Sequence, residues 1–190
     1  MHVLYPDGIQ NVFHAAFSVD DGSVSSEVDA VVEAEYWKIG GAAVVSPGTI
    51  AFAVNGPEVY FADYDADEGL NVTDSVELGV DGQPRDLIFH DGELVLATQE
   101  GLNLSFTKLD TDGTVIEGPF ATGYQVGSYP TPVFIPVPGD AIGAIVNPEE
   151  GSAVVLTFDS FTSAGFEGLN ELSGDDFGVG AFERLLELVG

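Results

Sequence analysis

Oxygen ligands are the most concentrated chemistry in this chain. Asp63, Asp65, Asp67 and Glu68 fall within six residues around "YDADEG", and Asp110 and Asp112 flank Thr111 in "FTKLDTDGTVIEG" (106–118). Hard cations take such carboxylates, with calcium requiring six to eight oxygens. These six residues are therefore the candidate ligands for Ca2+ or for bound monovalent cations. Two features weigh against a site. Side chains alternate across a strand, which splits the first group between two faces, and the second offers only two carboxylates before Gly113. Aspartate followed by glycine is also turn chemistry, the acid capping backbone N–H groups while glycine supplies positive φ. "SVDDG" (18–22) repeats the pattern. Turns account for most of these acids, and no other cofactor is expected.

Catalytic constellations are sparse. There is no cysteine, so thiolate nucleophiles, thiolate metal sites and disulfides are excluded. The three histidines are His2, His14 and His90, and neither a G-x-S-x-G elbow nor a phosphate-cradling G-x-x-x-x-G-K-[ST] is present. His90 precedes Asp91-Gly92, a turn dipeptide, which makes it a solvated side chain before a general base. Paired carboxylates for glycoside hydrolysis exist among 32 acids, but their abundance makes any chosen pair uninformative. The chain is expected not to be an enzyme, with a hydrolase kept as an alternative.

Charge limits the partners. Thirty-two Asp and Glu face only Lys38, Lys108, Arg85 and Arg184, a net charge of -28. Such a surface cannot neutralise phosphates, so nucleic acid and anionic lipid are disfavoured. A cationic partner, free cations or concentrated salt remain. Spread over ~9,000 Å² for a protein of this size, that charge repels itself at ordinary ionic strength, whereas 1 M salt contracts screening to about 3 Å. The acid excess with almost no lysine resembles the proteins of extreme halophiles. The N-terminal "MHVLYPDGIQNVF" lacks a basic n-region and a sufficient apolar run, so no signal peptide is expected, and no 18-residue apolar run predicts membrane insertion.

The elements that position these residues repeat. "PGTIAFAV" (47–54), "DGELVLAT" (91–98) and "PGDAIGAI" (138–145) each read turn, then alternating apolar residues, and "VYFADYD" (59–65), "LSFTKLD" (104–110) and "AVVLTFD" (153–159) follow, each ending on aspartate. Alternation is strand periodicity. Equivalent aspartates lie 45 and then 49 residues apart, a spacing that suits units of four strands. Fourth strands are expected around 75–79, 118–123 and 165–169.

On these positions, over about residues 40–170, the chain resembles β-propeller repeats. The resemblance implies an all-β fold, a small propeller-like array of four-stranded antiparallel units, with an antiparallel sandwich or barrel as the alternative. One domain spans 1–190: a weaker first repeat at 1–39, repeats at 40–82, 83–127 and 128–175, and a C-terminal helical segment at 176–190. In that segment Phe182, Leu185, Leu186 and Val189 share one helical face and should dock. Pro130, Pro132, Pro136 and Pro138 make the strand between them an edge or a brief one. Phe52, Phe61, Phe89, Phe106 and Phe158 are expected in the core, while Tyr36, Trp37, Tyr124 and Tyr129 lie nearer loops and are the candidate glycan or protein contacts.

The functional expectation follows by elimination. It is a non-enzymatic structural or adhesive subunit of a larger assembly working in high salt, most specifically a head, neck or tail accessory protein of a haloarchaeal tailed virus. Its location would be the virion, after synthesis in a high-salt cytoplasm. Its partners would be other protein subunits, including copies of itself, and a host-surface glycan or protein. The alternative is a soluble lectin-like or calcium-dependent binding module.

Overall fold

The computed structural model describes residues 2–6, 11–18, 20–27, 32–33, 39–54, 58–65, 67–79, 82–126, 132–135, 141–146, 154–158, 160–162, 165–167 and 170–172. These residues are strand, turn and connecting backbone, with no helix among them. Phe182, Leu185, Leu186 and Val189 lie outside the described residues, as do Tyr36, Trp37 and Tyr129.

Four antiparallel sheets follow one another along the chain. Sheet I holds β1 (His2–Pro6), β2 (Asn11–Phe17), β3 (Val24–Glu27) and β4 (Val32–Glu33). Here β3 and β4 share one edge of β2, facing Ala15 to Phe17 and Asn11 to Val12 respectively, so the sheet is only three strands wide. Sheet II is an unbroken meander of β5 (Ile39–Ser46), β6 (Thr49–Val54), β7 (Glu58–Asp65) and β8 (Gly69–Glu77). Sheet III repeats it with β9 (Gln83–His90), β10 (Glu93–Glu100), β11 (Asn103–Leu109) and β12 (Val115–Gln125). Of the fourth strands, β8 begins before the expected 75–79 and ends short of residue 79, while β12 exceeds the expected 118–123 at both ends.

Sheet IV departs from the expected pattern. After β13 (Val133–Ile135), β14 (Ile142–Val146) and β15 (Val154–Phe158), the chain makes a separate hairpin of β16 (Ser160–Thr162) and β17 (Gly165–Glu167), and β18 (Asn170–Leu172) takes the fourth place. The segment expected as the fourth strand instead pairs locally, Phe161 opposite Phe166. Closing so short a loop costs less entropy than reaching back to β15. The proline-flanked strand is brief, three residues, and among the described residues it pairs on one side only, with β14.

Strand alternation gives each inner sheet two apolar faces. In β6, Ile50, Phe52 and Val54 face sheet I, packing with Val12, Ala62 and Leu70, while Ala51 and Ala53 face sheet III with Val59, Phe61, Leu87, Leu94, Leu96 and Leu109. Sheet III then meets sheet IV through Val95, Ala97, Leu104 and Phe106 against Phe134, Ala144, Leu156 and Phe158. Phe106 sits at the centre, its ring 5.2 Å from that of Phe134 and 5.6 Å from that of Phe158. Fully burying each such Phe or Leu contributes about 1.5–3 kcal/mol. Stacked sheets with no polar face explain how a chain this acidic is still 45% hydrophobic. Of the five phenylalanines expected in the core, Phe89 is 36% exposed. It stands one residue from the Asp91-Gly92 turn, where β9 runs out of the sheet-to-sheet contact.

The first strands of the sheets lie side by side, β5 packing on β9, with β1 beside β5 and β13 beside β9. A Cβ at Gly40 would lie 2.5 Å from Cβ of Pro84, and one at Gly41 2.6 Å from the carbonyl carbon of Asp86. Residues 40 and 41 thus meet 84 and 86 in ascending order, the order expected of two strands that run the same way. The later strands of each sheet lie outward from this row.

Candidate functional site

Because strands one and three of a meander run the same way, the turns after them open at the same end. With β5 and β9 running the same way, the four such turns of sheets II and III open toward one rim. Each is built from local chemistry. Asp91 and Gly92 both have positive φ, 48° and 83°, the pair of values that a two-residue hairpin turn requires. Asp65 Oδ1 accepts the N–H groups of Asp67 (2.8 Å) and Glu68 (3.1 Å). Asp110 Oδ1 accepts the Thr111 N–H at 2.6 Å, and Asp112 Oδ1 accepts the Thr114 N–H at 2.9 Å. Gly113 is buried, and a Cβ there would press at 3.0 Å on Phe61 and Val76. Only glycine lets the 110–113 turn of sheet III lie against sheet II.

The sequence-derived acids divide accordingly. Asp63, Asp65, Asp67, Glu68, Asp110 and Asp112 are all exposed, and Asp63 Oδ1 accepts the Thr49 hydroxyl across β6 and β7 at 2.9 Å. The bonds to Thr114 hold the Asp112 carboxyl below its ordinary range, and those to Ser23 do the same for Asp21. Among the described residues, no three of His, Cys, Asp and Glu come together as a metal-holding group. Of the carboxylates expected as cation ligands, those of Asp65, Asp110 and Asp112 accept N–H groups of their own turns. Lys108 is held by Glu93 at 2.5 Å, one residue after the 91–92 turn. Tyr124, expected as a loop contact, is half-buried against the core between sheets III and IV.

Asp86 is the residue that the sequence reading missed. It lies inside β9 and faces sheet IV, where its Oδ2 accepts the Phe134 N–H at 2.6 Å and its Oδ1 accepts the Leu87 N–H at 2.9 Å. Burial pushes its pKa up, against the opposing pull of those two N–H groups. The available signal was position: aspartate is depleted in strand interiors, and Asp86 stands inside an apolar-rich strand, away from any turn glycine.

With this geometry in view, comparison with known proteins extends the fold. No family model matches the chain, and no curated protein does. Solved structures match at the level of fold. A Bacteroides caccae protein of unknown function superposes at a TM-score of 0.55 and 14% identity, over 90% of this chain and 57% of its own. A Bacteroides uniformis candidate 6-phosphogluconolactonase gives 0.51 and 12%, over 90% and 67%. The Dos1 propeller gives 0.51 and 10%, over 89% and 46%. The chain therefore spans from under half to two thirds of the length of these structures. Its fold is of the β-propeller type, an all-β array of four-stranded antiparallel blades, and each sheet described above is a blade.

The comparison also overturns the functional expectation. One of these structures is named for an activity, the candidate 6-phosphogluconolactonase from Bacteroides uniformis, and none of the three is described as a virion component. The structural subunit of a haloarchaeal tailed virus is withdrawn. That expectation rests on elimination, with no motif behind it.

Proposed function

We propose that the chain is a recognition module of propeller type whose acidic turn rim engages a cationic partner, such as a basic peptide segment, without chemistry of its own. One observation carries this reading. Asp65, Asp67, Glu68, Asp91, Asp110 and Asp112 are exposed on turns that open at one end of blades II and III. At Asp65, Asp110 and Asp112, turn hydrogen bonds fix the acids that line it, which lowers the ordering cost of binding. The same acid excess sets the solvent, since 1 M salt screens the self-repulsion that dilute buffer leaves in place. Thermal melting should rise steeply between 0.1 and 2 M KCl.

The test compares two variants against a lysine-rich peptide by calorimetry at intermediate salt. One neutralises Asp65, Asp67, Glu68, Asp110 and Asp112 to Asn or Gln. The other neutralises five exposed acids elsewhere, Asp20, Asp21, Asp74, Glu77 and Glu100. Both keep the same net charge, so general attraction changes equally. Loss of binding in the first variant alone supports the rim, and equal loss in both overturns it. Turnover of 6-phosphogluconolactone by the wild-type chain would overturn the non-catalytic part.

A further inference from the structure

β1 and β5 do not close on each other as β5 and β9 do. Among the described residues, Leu4 of β1, Ala42, Ala43 and Val44 of β5 and Ile50 of β6 line a cavity of about 90 Å³ between blades I and II. The sequence of β5 accounts for it. Ala42 and Val44 stand opposite Phe52 and Ile50, which face blade I, and cross-strand partners share a face. An alanine and a valine reach too little of the space that Leu4 leaves. Ala42 is exposed, and Val44 is 56% exposed, so the cavity is a crevice open at these two residues. No lining side chain is polar, which suits it to an apolar group better than to water, whose retention takes two to four polar partners.

The crevice stands close to the acidic rim. Val44 lies two residues along β5 from Ser46, about 7 Å, where the chain turns into β6 at Thr49. In that turn the Gly48 carbonyl accepts the Tyr64 N–H at 2.6 Å, and Tyr64 directly precedes Asp65, with Asp67 and Glu68 following. An apolar slot and three rim carboxylates thus belong to one end of blade II. We propose that the crevice takes one aliphatic side chain of a basic peptide segment whose lysines or arginines meet Asp65, Asp67 and Glu68. The proposal rests on the reading of the rim given above and adds selectivity to it: charge alone accepts any basic segment, whereas the crevice favours one with Val, Leu or Ile among its cations. Size sets the anchor, since an apolar cavity of about 150 Å³ holds a benzene ring and this one is smaller. Charge sets the occupant, since a second copy would bring a further -28 to the rim, while a basic segment is complementary to it.

The test is calorimetry at intermediate salt with two probes, a lysine-rich peptide carrying one central leucine and the same peptide with serine in its place. The wild type should bind the leucine peptide about 10-fold more tightly, the effect of burying a few methyl and methylene groups. In Ala42→Leu, which fills the crevice from within, that preference should vanish while the serine peptide binds as it does to the wild type, which also shows the variant to be folded. Val44→Thr should narrow the preference by placing a hydroxyl where the leucine packs. Equal binding of the two peptides by the wild type, or a preference that survives unchanged in both variants, overturns the crevice and leaves the rim reading standing. Binding of neither peptide by the wild type overturns the rim reading and the crevice with it. Wild-type dimers in 2 M KCl, seen by light scattering and abolished by Ala42→Leu, would give the crevice to a second copy and overturn the proposal.

Discussion

Blades II and III are joined differently from blades III and IV. At the first junction two first strands approach backbone to backbone, which only Gly40 and Gly41 permit against Pro84, Asp86 and Leu87. At the second, β13 is three residues long and bounded by prolines, and among the described residues no strand pairs with its outer edge. A half-buried carboxylate from the preceding blade, Asp86, takes the Phe134 N–H instead. The same architecture is held once by removing side chains and once by supplying a charged one. A first strand long enough to lie alongside its neighbour needs clearance, while one too short needs an acceptor, since a buried N–H left unpaired is costly.

The largest effect should come from filling the first junction. Gly41 has φ of 152°, and an added Cβ would meet the backbone of Asp86 and Leu87. Gly41→Val therefore combines overpacking with backbone strain, at about 3 kcal/mol or more. Gly22 also has positive φ, 70°, but has open space around it, so Gly22→Ala should cost about 1 kcal/mol. Denaturant unfolding of both in 2 M KCl measures the difference, and equal costs would show that clearance at β5 is not what joins the blades.

Next in size is the second junction. Asp86→Ala orphans two backbone N–H groups, with an expected cost of about 2–4 kcal/mol, and Asp86→Asn should cost about half as much because one acceptor oxygen remains. Hydrogen exchange locates the damage. The Phe134 amide should lose protection in Asp86→Ala while amides of β6 keep theirs. Uniform loss across the molecule would mean that Asp86 supports the whole fold and has no special bond with blade IV.

The legibility of the two junctions in sequence differs for a physical reason. Alternation is a local pattern, so the strands of blades II and III were readable from runs such as "GTIAFAV" and "GELVLAT", and with them most of the core. The turn acids were readable too, because Asp-Gly chemistry acts within three or four residues. Asp86 was not, since its partner Phe134 lies 48 residues away, a pairing fixed by how blades stack. The clearance at Gly41 is equally non-local. Phe89 and the 160–167 hairpin failed for the converse reason: the local pattern was right, but strand position relative to the neighbouring blade decided burial and pairing.

The smallest effects distinguish the half-buried Asp86 from a rim acid by the sign of their pH dependence. Asp86 has its folded pKa raised by burial, so its contribution to stability is fully present below the free aspartate value of about 4. That contribution is lost as pH rises through the raised folded value. Asp112 has its pKa lowered by the Thr114 bonds, so its contribution is present above about 4 and is lost as pH falls through the lowered value. The stability difference between wild type and Asp86→Asn should therefore shrink as pH rises from 4, relative to its low-pH value. The corresponding difference for Asp112→Asn should stay flat from pH 5 upward and move only on acidification. Denaturant midpoints between pH 3 and 7 in 2 M KCl, where screening suppresses the background of 32 acids, read both slopes. If the two differences ran in the same direction, the carboxylate between blades III and IV would be titrating as a surface group, and the second junction would have to be held by the Phe106, Phe134 and Phe158 cluster alone.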